Sequence, residues 1–312
     1  MRRGWNSFYD KYLRYALILI PRLLREIVFK SSPFIKSDSL YLKIVYFLTF
    51  FKWLDLEHPE TLLTFNEKIQ WLKMHNNTQL HTQMVDKYEV RSLIKEKLGT
   101  GYTFPLLGVW NDPDEIDFDM LPDPFVLKPT HDSGSIIFCH DKSHFNQNAA
   151  RKKLRKALKR NYYWLGREAP YKNVKPRIIA EPLMVDESGV ELKDYKLFCF
   201  DGIVRMIQVH FDRFNKHHQN LYTPEWKLID GYLSSYPSGR QEAVPRPYIL
   251  DDMVQKASML SKGFPFVRVD FYIINNKLYF GEFTFHHAGG LARVYPRTFA
   301  RQLGDWISLP IS

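Results

Sequence analysis

The residues best suited to chemistry lie near the C-terminal end of the chain, in a stretch that has the pattern of a β-hairpin. Asp270 and Glu282 occupy two strand-like segments joined by an Asn-Asn-Lys sequence. If residues 275–277 form a three-residue loop, Asp270 lies directly opposite Glu282, and Arg268 lies opposite Thr284. A shift of one residue would move Glu282 among apolar side chains, so burial favours this register. The same register places seven apolar side chains together on the other face: Val267, Val269, Phe271, Ile273, Tyr279, Phe283 and Phe285.

Two carboxylates that face each other across a hairpin, with Cβ atoms roughly 5 Å apart, destabilise the sheet unless a cation lies between them. Mg²⁺ suits this position, because it binds one or two carboxylates and completes its octahedron with water and substrate phosphates. Arg268, on the same face, could hold a phosphate through paired hydrogen bonds. The alternative is a salt-bridge cluster of Arg268, Asp270 and Glu282 on a solvated sheet face.

The composition indicates a folded protein that works in a reducing compartment. The chain has 312 residues, of which 45% are hydrophobic and 15% aromatic, enough for a large core. Its two cysteines, Cys139 and Cys199, give no disulfide framework and no metal-binding spacing. We therefore expect a cytoplasmic protein.

The net charge of +10 belongs mostly to the N-terminal segment, because residues 1–53 contain ten Lys or Arg and three Asp or Glu. The apolar runs 16–20 and 40–53 are too short, or too interrupted by lysine, to cross a membrane, which takes about 20 residues. Basic residues among aromatic ones fit helices that lie on an anionic membrane surface. The segment would then attach the protein peripherally to the inner face of the cell membrane. The alternative is that these helices pack on the body or on a partner subunit.

The elements that must position the hairpin begin with helices. Thr64 and Glu67 have the spacing of a capping box that opens a helix, and residues 82–98 have the pattern of a second helix. Residues 101–110 are strand-like, and residues 111–124 form an acidic loop with three prolines.

A lysine at the end of a buried strand comes next. Residues 124–129 form that strand, and Lys128 lies near its end. Residues 130–135 (THDSGS) follow, and a flexible loop of this kind can donate backbone N–H groups to phosphates. After the strand 136–140, residues 149–160 form a basic helix, either a solvated face or a contact for a polyanion. The chain shows no aromatic-interleaved nucleic-acid motif, so we do not expect nucleic acid as a partner.

The second half of the chain is rich in strands. In the aromatic segment 161–175, Glu168 could face a carbohydrate or an amino acid. Pro182 within residues 178–185 predicts an edge strand whose free backbone groups could bind adenine. Residues 192–202 and 203–210 form a hairpin that carries Asp194 and Lys196 on one face. We expect a surface excursion at 215–246 and a helix at 251–261.

This succession of elements resembles the ATP-grasp superfamily, in which two α+β lobes hold ATP between them. It is most similar to the subgroup named for a teichuronopeptide biosynthesis protein (TupA-like), found among bacterial surface-polysaccharide genes. The resemblance spans residues 61–301 and is densest in VDKYEVR, PFVLKPTHDSGS, IIAEPLM, DYKLFCFDG and VRVDFY…LYFGEFTF. It implies an α+β ATP-grasp fold, with antiparallel sheets in two lobes preceded by N-terminal helices. The expected divisions are the N-terminal helices at 1–60, a helical lobe at 61–124, a small lobe at 125–190 and a large lobe with the metal hairpin at 191–312.

The resemblance also implies roles for single residues in binding the nucleotide. Lys128 matches the superfamily lysine that contacts an ATP phosphate, and Lys87 resembles an earlier lysine of the same kind. The expected ribose-binding acid is Asp194, with Glu187 and Glu191 as alternatives. The loop that closes over the phosphates matches Ser133, Gly134 and Ser135, and the adenine hinge matches Ala180, Glu181 and Leu183.

For the chemical step, the resemblance assigns Arg268, Lys128 and Lys196 as catalytic residues. Asp270 and Glu282 match the two metal carboxylates. Thr284 stands where the superfamily often has asparagine, which puts a second Mg²⁺ position in doubt. His286 and His287 follow and could touch the acceptor.

The implied reaction is amide ligation with ATP and Mg²⁺ as cofactors. Family enzymes transfer the γ-phosphoryl group of ATP to a carboxylate, and an amine then displaces phosphate from the acyl phosphate. The expected partners are a small amine or amino acid and a uronic-acid carboxylate of a surface glycan. A lipid-linked glycan would also explain the basic N-terminal segment.

Two other functions stay open at this point. A glycosyltransferase or phosphotransferase of capsule or O-antigen synthesis could use the Asp-x-Asp triplets at 112–114 and 117–119, although no nucleotide-binding βαβ pattern precedes them. A membrane-docked scaffold without activity is the other alternative. Against it, two carboxylates retained without a ligand would destabilise the fold.

Overall fold

The computed structural model describes residues 21–186, 189, 192–211, 218–233 and 243–311. Residues 21–30 are helical (α1) and precede two longer helices. Helix α3 begins where the sequence predicts, because Thr64 and Glu67 form the expected capping box. Within the described residues, no helix is both long enough and apolar enough to cross a membrane. The bounds of the two longer helices are α2 (Asp38–Phe50) and α3 (Phe65–His75).

The second predicted helix is interrupted. It consists of α4 (Gln79–Val85) and α5 (Val90–Leu98), with an extended residue, Asp86, after α4. The Asp86 carboxylate accepts hydrogen bonds from the backbone N–H groups of Tyr88 and Glu89, at 2.8 and 3.3 Å. An aspartate that bonds the backbone two residues on competes with helical hydrogen bonding, so the helix breaks here. Lys87 lies in the break.

The first sheet is antiparallel, and its strand order is β1-β4-β2-β3. The prediction of an edge strand around Pro182 is wrong, because β4 pairs with β1 on one side and β2 on the other. Pro182 is tolerated because it is the last residue of β4, beyond the last pair with β1, which is Gly108 with Ala180. Apolar residues of α6 (Gln147–Leu158), mainly Ala150 and Leu154, pack on this sheet. The strands are β1 (Gly108–Trp110), β2 (Phe125–Pro129), β3 (Ile137–Cys139) and β4 (Ile178–Pro182).

The second sheet is also antiparallel, with the order β10-β9-β5-β6-β7. Its strands are β5 (Asp194–Phe200), β6 (Ile203–Phe211), β7 (His218–Tyr222), β9 (Val267–Ile274) and β10 (Lys277–Thr284). The predicted hairpin at Asp201-Gly202 is present. The predicted surface excursion is wrong for 218–222, which form the buried edge strand β7. Residues 212–217 and 234–242 of that prediction lie outside the described part of the chain.

The remaining described elements close the fold around this sheet. Helix α8 (Leu250–Ser261) packs on β5 and β9, and α9 (Arg297–Asp305) packs on α3. A short helix, α7 (Tyr163–Gly166), follows α6, and a small pair is formed by β8 (Tyr232–Leu233) and β11 (Val294–Tyr295). The expected α+β class, with antiparallel sheets preceded by helices, is confirmed.

The turn of the β9–β10 hairpin differs from its prediction. The loop has two residues, Asn275 and Asn276, both left-handed, and Ile274 pairs with Lys277. A bulge between Phe280 and Phe283 then shifts the register by one residue.

The bulge restores the predicted pair of Arg268 with Thr284. Tyr279 does not belong to the buried face as predicted. It pairs with Tyr272 on the opposite face, while Leu278 and Phe280 are buried in the core.

Candidate active site

The two sheets face each other across a cleft that has three connected compartments. The apolar compartment is lined mainly by Val126, Phe138, Leu183, Met184 and Val185. The cationic compartment is lined by Lys87, Arg91, Lys128, Glu181 and Glu282, and it shares Phe104, Lys128 and Tyr272 with the apolar one. The polar compartment is lined by Glu168, Lys196, Arg268, His286 and His287, among others, and it shares Glu282 with the cationic one.

The apolar compartment is lined mainly by hydrophobic and aromatic side chains, which is usual for small-molecule sites. It has a volume of about 1410 Å³, part of which is open to solvent. The Phe104 ring stacks on Tyr279 with centroids 4.9 Å apart and closes the end toward the second sheet. Of the predicted hinge residues, Leu183 lines the compartment, whereas Ala180 is fully buried and its carbonyl oxygen accepts a hydrogen bond from Leu107 N–H at 2.8 Å.

Glu181 lies at the junction of the apolar and cationic compartments and holds two cations. Its carboxylate oxygens bind Lys128 Nζ at 2.6 Å and Arg91 Nη1 at 3.0 Å. The side chain is almost fully buried, so the pairing fixes the direction of Lys128. The sequence reasoning missed Arg91. The signal was its position four residues after Lys87, within the VDKYEVR motif.

Lys87 connects the break between α4 and α5 to the loop 130–135. Its Nζ donates to the carbonyl oxygen of Asp132, and its backbone N–H donates to Thr130 O at 3.2 Å. Burial lowers the pKa of Lys87, although the charges of Glu282 and Asp132 oppose this. The predicted phosphate-contacting lysines thus both line the cationic compartment.

The loop 130–135 is anchored at both ends and exposes only its tip. Arg160, at the end of the basic segment, binds Asp132 Oδ2 at 2.8 Å and the Ser135 hydroxyl. Ser133 and Gly134 are exposed, and Gly134 has a φ of 90°. Ser133 also lines the polar compartment, so of the three predicted loop residues it lies closest to the site.

The carboxylates of the hairpin form a dense ion cluster. Both oxygens of Asp270 accept from Arg268 at 2.7 Å, and Lys196 Nζ lies 2.6 Å from Asp270 Oδ2. Arg268 Nη2 also donates to Glu282 Oε1 at 3.2 Å. Although burial lowers the pKa of Arg268, the charges of Asp270 and Glu282 more than offset it and raise that pKa. The cluster contains the ion pairs that the salt-bridge alternative predicts.

The oxygen-bearing side chains of the hairpin differ in how well they could bind a hard cation such as Mg²⁺. Glu282 has a partly exposed side chain, and the Thr284 hydroxyl lies 3.5 Å from Glu282 Oε1, so both oxygens fit an Mg²⁺ site. Asp270 is only 1% exposed and is already enclosed by two cations. Within the described residues, no cluster of three or more His, Cys, Asp or Glu side chains forms a metal site.

Asp194, the predicted ribose-binding acid, lies in this ion cluster and does not line the apolar compartment. Its Oδ2 pairs with Lys196 Nζ at 2.5 Å. The alternatives Glu187 and Glu191 lie outside the described residues.

The polar compartment ends in buried titratable groups. His287 Nδ1 lies 2.7 Å from Arg268 Nη1, and burial together with the Arg268 charge holds the pKa of His287 well below its usual value. His287 is therefore neutral and orients Arg268. Burial also lowers the pKa of His286, whose Nδ1 lies 3.4 Å from Glu168 Oε2. Lys73, which sequence reasoning missed, lies behind this pair.

The Asp-x-Asp triplets do not line any of the three compartments. Asp112 and Asp117 each accept from the backbone N–H two residues on, at 2.9 and 3.0 Å, and Asp114 pairs with Arg155. These aspartates stabilise turns. The main sequence feature that favoured a sugar transferase is therefore explained by a structural role.

Comparison with known proteins supports one family. A family model described as TupA-like ATPgrasp matches residues 67–308, which is most of the chain. No curated protein matches.

Several solved structures are similar to the chain in fold. D-alanine–D-alanine ligase from Bacillus anthracis, complexed with ATP, is 17% identical with a TM-score of 0.37, and the match covers 64% of this chain and 54% of that one. The same ligase from Helicobacter pylori is 14% identical with a TM-score of 0.42, over 79% and 67% of the two chains. Phosphoribosylamine–glycine ligase from Thermotoga maritima is 10% identical with a TM-score of 0.39, over 66% and 48%. The chain thus spans about half the length of two of these three structures.

Proposed function

Because the chain belongs to the TupA-like ATP-grasp family, we propose that it is an ATP-dependent carboxylate–amine ligase. The observation that carries the proposal is the continuous cleft, which joins an apolar compartment to cations and then to a second, polar compartment. Adenine would lie in the apolar compartment against Phe104 and Leu183. The triphosphate would extend past Lys128 and Lys87, and the carboxylate and amine would meet in the polar compartment.

The reaction has two balanced steps. A carboxylate oxygen of the acceptor attacks the γ-phosphorus of ATP, and the bond to the β,γ-bridging oxygen breaks, giving an acyl phosphate and ADP. The amine nitrogen then attacks the acyl carbon, the bond to the phosphate oxygen breaks, and amide and hydrogen phosphate leave. Phosphoryl transfer requires charge neutralisation and alignment more than covalent help.

The residues of the cationic compartment would supply that neutralisation. Lys128 is held in place by Glu181, and Lys87 lies on the same compartment. Mg²⁺, when bound, would neutralise phosphate charge, and Glu282 and Thr284 are the residues that would hold it. Asp270 orients Arg268 and Lys196 through its three short contacts.

The polar compartment supplies the groups for the second step. Arg268 is fixed by Asp270, Glu282 and neutral His287, so its one remaining N–H, on Nη1, points at a defined place. A fixed donor of this kind stabilises the oxyanion of a tetrahedral intermediate. Ser133, at the tip of the loop 130–135, borders the compartment, and the loop would shield the acyl phosphate from water.

We further infer that the acceptor carboxylate is a uronic acid of a bacterial surface polysaccharide and that the amine is an amino acid or small amine. The support is the family's association with teichuronopeptide synthesis and a polar compartment of about 1050 Å³ that opens to solvent. The test incubates the protein with Mg-ATP, uronic acids and an amino-acid mixture. Release of ADP and phosphate with a new amide supports ligation. Nucleoside diphosphate release from UDP-sugars, with ATP inert, would refute it.

We propose that the N-terminal helices bind an anionic membrane surface. The protein would then act at the inner face of the cell membrane. On α2 and just after it, the Phe47 ring lies 6.4 Å from Phe51 and 5.8 Å from Trp53, forming an exposed aromatic cluster. Exposed apolar side chains in this region are Leu23, Leu24, Ile27, Phe34, Leu40, Phe47, Phe51 and Trp53. Aromatic rings next to basic residues bind such surfaces through apolar burial and charge together.

Liposome flotation tests the membrane proposal. The full chain should float with vesicles that contain anionic phospholipid, and the triple variant Phe47→Ser, Phe51→Ser, Trp53→Ser should stay in the lower fractions. A variant with three matched substitutions elsewhere, Met120→Ser, Tyr248→Ser and Met259→Ser, controls for lost surface apolarity, since these side chains are exposed too. Equal recovery of all three proteins in solution would refute the proposal.

A further inference from the structure

Glu168 is a buried carboxylate without a direct ion pair to a lysine or arginine of the described residues, although the charge of the nearby Lys73 acts on it. Its side chain is 9% exposed, and among the described residues no lysine or arginine forms an ion pair with it. His286 Nδ1 lies 3.4 Å from Glu168 Oε2, but the contact does not meet hydrogen-bond geometry. A buried carboxylate without a directly paired cation costs stability, which points to a role beyond folding.

Lys73 does not fill this role. Its buried ammonium donates to the carbonyl oxygens of Gly166 and Gly289, at 2.8 and 2.7 Å. Those contacts join the two backbone segments that carry Glu168 and His286. Burial lowers the pKa of Lys73 to about 8, and the Glu168 charge restores only part of it. Lys73 supports the walls of the compartment without pairing directly with the carboxylate.

Two glycines leave space at the Glu168 carboxylate. A side chain at Gly166 would place its Cβ 3.2 Å from Glu168 Oε1, and one at Gly289 would place its Cβ 3.9 Å from both Glu168 Oε1 and Lys73 Nζ. Gly289 also has a φ of 62°, which side chains rarely adopt. The carboxylate lines the polar compartment, which Arg268 and Glu282 also line.

We propose that Glu168 and His286 bind the ammonium group of the incoming amine. The ammonium gives one proton to the Glu168 carboxylate before its nitrogen attacks the acyl carbon, so that the nucleophile of the reaction is a primary amine and not a hydroxyl. This rests on the proposed function and specifies its second substrate. An ammonium supplies the directly paired charge that Glu168 lacks and can donate one hydrogen bond to each of the two groups. A sugar or lactate hydroxyl would leave the buried charge unneutralised.

The test compares Glu168→Gln with Glu67→Gln as a matched control. Glu67 is also a buried glutamate, but it pairs with Lys52 and caps α3, so its role is structural. In urea unfolding, Glu67→Gln should lower the midpoint, whereas Glu168→Gln should leave it equal to wild type or raise it. A drop for Glu168→Gln as large as for the control would show that Glu168 is structural and would overturn the proposal.

Binding supplies the second measurement. The full chain, loaded with Mg and a non-hydrolysable ATP analogue, is titrated calorimetrically with each of the twenty amino acids and with their N-acetylated forms. At least one free amine should bind, Glu168→Gln should weaken it roughly 10- to 100-fold, and acetylation should abolish binding. Absence of any amine binding, or equal binding of acetylated forms, would overturn the proposal.

Turnover separates this inference from the proposed function. Hydroxylamine is a mostly uncharged nucleophile at neutral pH and traps acyl phosphates as hydroxamates. With the uronic acids as acceptors, the ratio of amide to hydroxamate product should fall roughly 10- to 100-fold in Glu168→Gln. An unchanged ratio would overturn the role of Glu168. Failure of wild type to form any ATP-dependent hydroxamate would instead count against the proposed ligase, whatever the calorimetry shows.

Discussion

The two carboxylates of the hairpin should respond in opposite ways to loss of charge. Asp270 is 1% exposed and makes three contacts of 2.6 to 2.7 Å with Arg268 and Lys196. Glu282 is partly exposed and makes one contact with Arg268, at 3.2 Å. Asp270→Asn should therefore unfold more easily, whereas Glu282→Gln should keep its stability and lose activity.

The magnitudes follow from burial. Removing one member of a buried ion pair leaves uncompensated charges and costs roughly 3–5 kcal/mol, and in Asp270→Asn two cations lose their partner. A partly exposed ion pair contributes about 1 kcal/mol or less. Glu282→Gln should nevertheless reduce turnover by more than about 100-fold, because Glu282 is the accessible carboxylate between the cationic and polar compartments.

Urea unfolding followed by far-ultraviolet circular dichroism measures the stabilities, and coupled ADP release measures turnover. Thr284→Val is a control for the loss of one oxygen at the same edge of the cleft, and it should lower turnover less than Glu282→Gln. Equal unfolding midpoints for Asp270→Asn and wild type would contradict the described ion cluster. Full turnover by Glu282→Gln would remove it from the proposed metal site.

Three further changes test other parts of the cleft. Lys128→Met should raise the Kd for Mg-ATP, measured by calorimetry, roughly 10- to 100-fold. Lys152→Met, on the exposed face of α6, is the control. An unchanged Kd for Lys128→Met would place Lys128 away from the phosphates. Burial lowers the pKa of His81 from 6.5 to about 4, so the unfolded chain takes up a proton that the folded chain does not. The contribution of His81 to stability should fall by about 3 kcal/mol as the pH is lowered from 6.5 to 4, and His81→Gln should show a correspondingly smaller loss in urea titrations at those pH values. A Cβ at Gly281 would lie 2.9 Å from the Tyr272 ring, so Gly281→Ala should displace Glu282 and reduce turnover, and a fully active variant would argue against this steric account.

Features that depend on residues close together in the chain could be predicted from the sequence. Charged residues within apolar strands could also be recognised as candidate site residues. The capping box at Thr64 involves residues three apart, and it forms as expected. Lys128 and Asp270 stood out because charged residues in apolar strands need partners. Arg268, two residues from Asp270, was among the predicted ion pairs, but Glu181 could not be predicted as a partner because it is 53 residues from Lys128 and 90 residues from Arg91.

Strand β7 was missed for a different reason. Two of its four buried side chains, Gln219 and Asn220, are polar, and Gln219 is satisfied by Gln208 of β6 and by the carbonyl oxygen of Leu233. A strand whose inward side chains bond one another shows no apolar alternation, which is the signal that identifies strands in a sequence. The break at Asp86 was missed similarly, since the carboxylate replaces helical hydrogen bonds without changing the apolar pattern on either side.

The bulge in β10 explains why the predicted register was right at Arg268 although the predicted loop was wrong. A two-residue turn and a bulge each move the pairing by one residue, and their effects cancel beyond Gly281. The pleat alternates every residue, so without a bulge Tyr279 and Glu282 would face opposite sides of the sheet. With the bulge, Tyr279 stacks on Phe104 at the apolar compartment while Glu282 faces the cationic and polar compartments. The irregularity therefore lets one strand contribute both to the adenine side of the proposed site and to its reacting end, which a regular hairpin could not do.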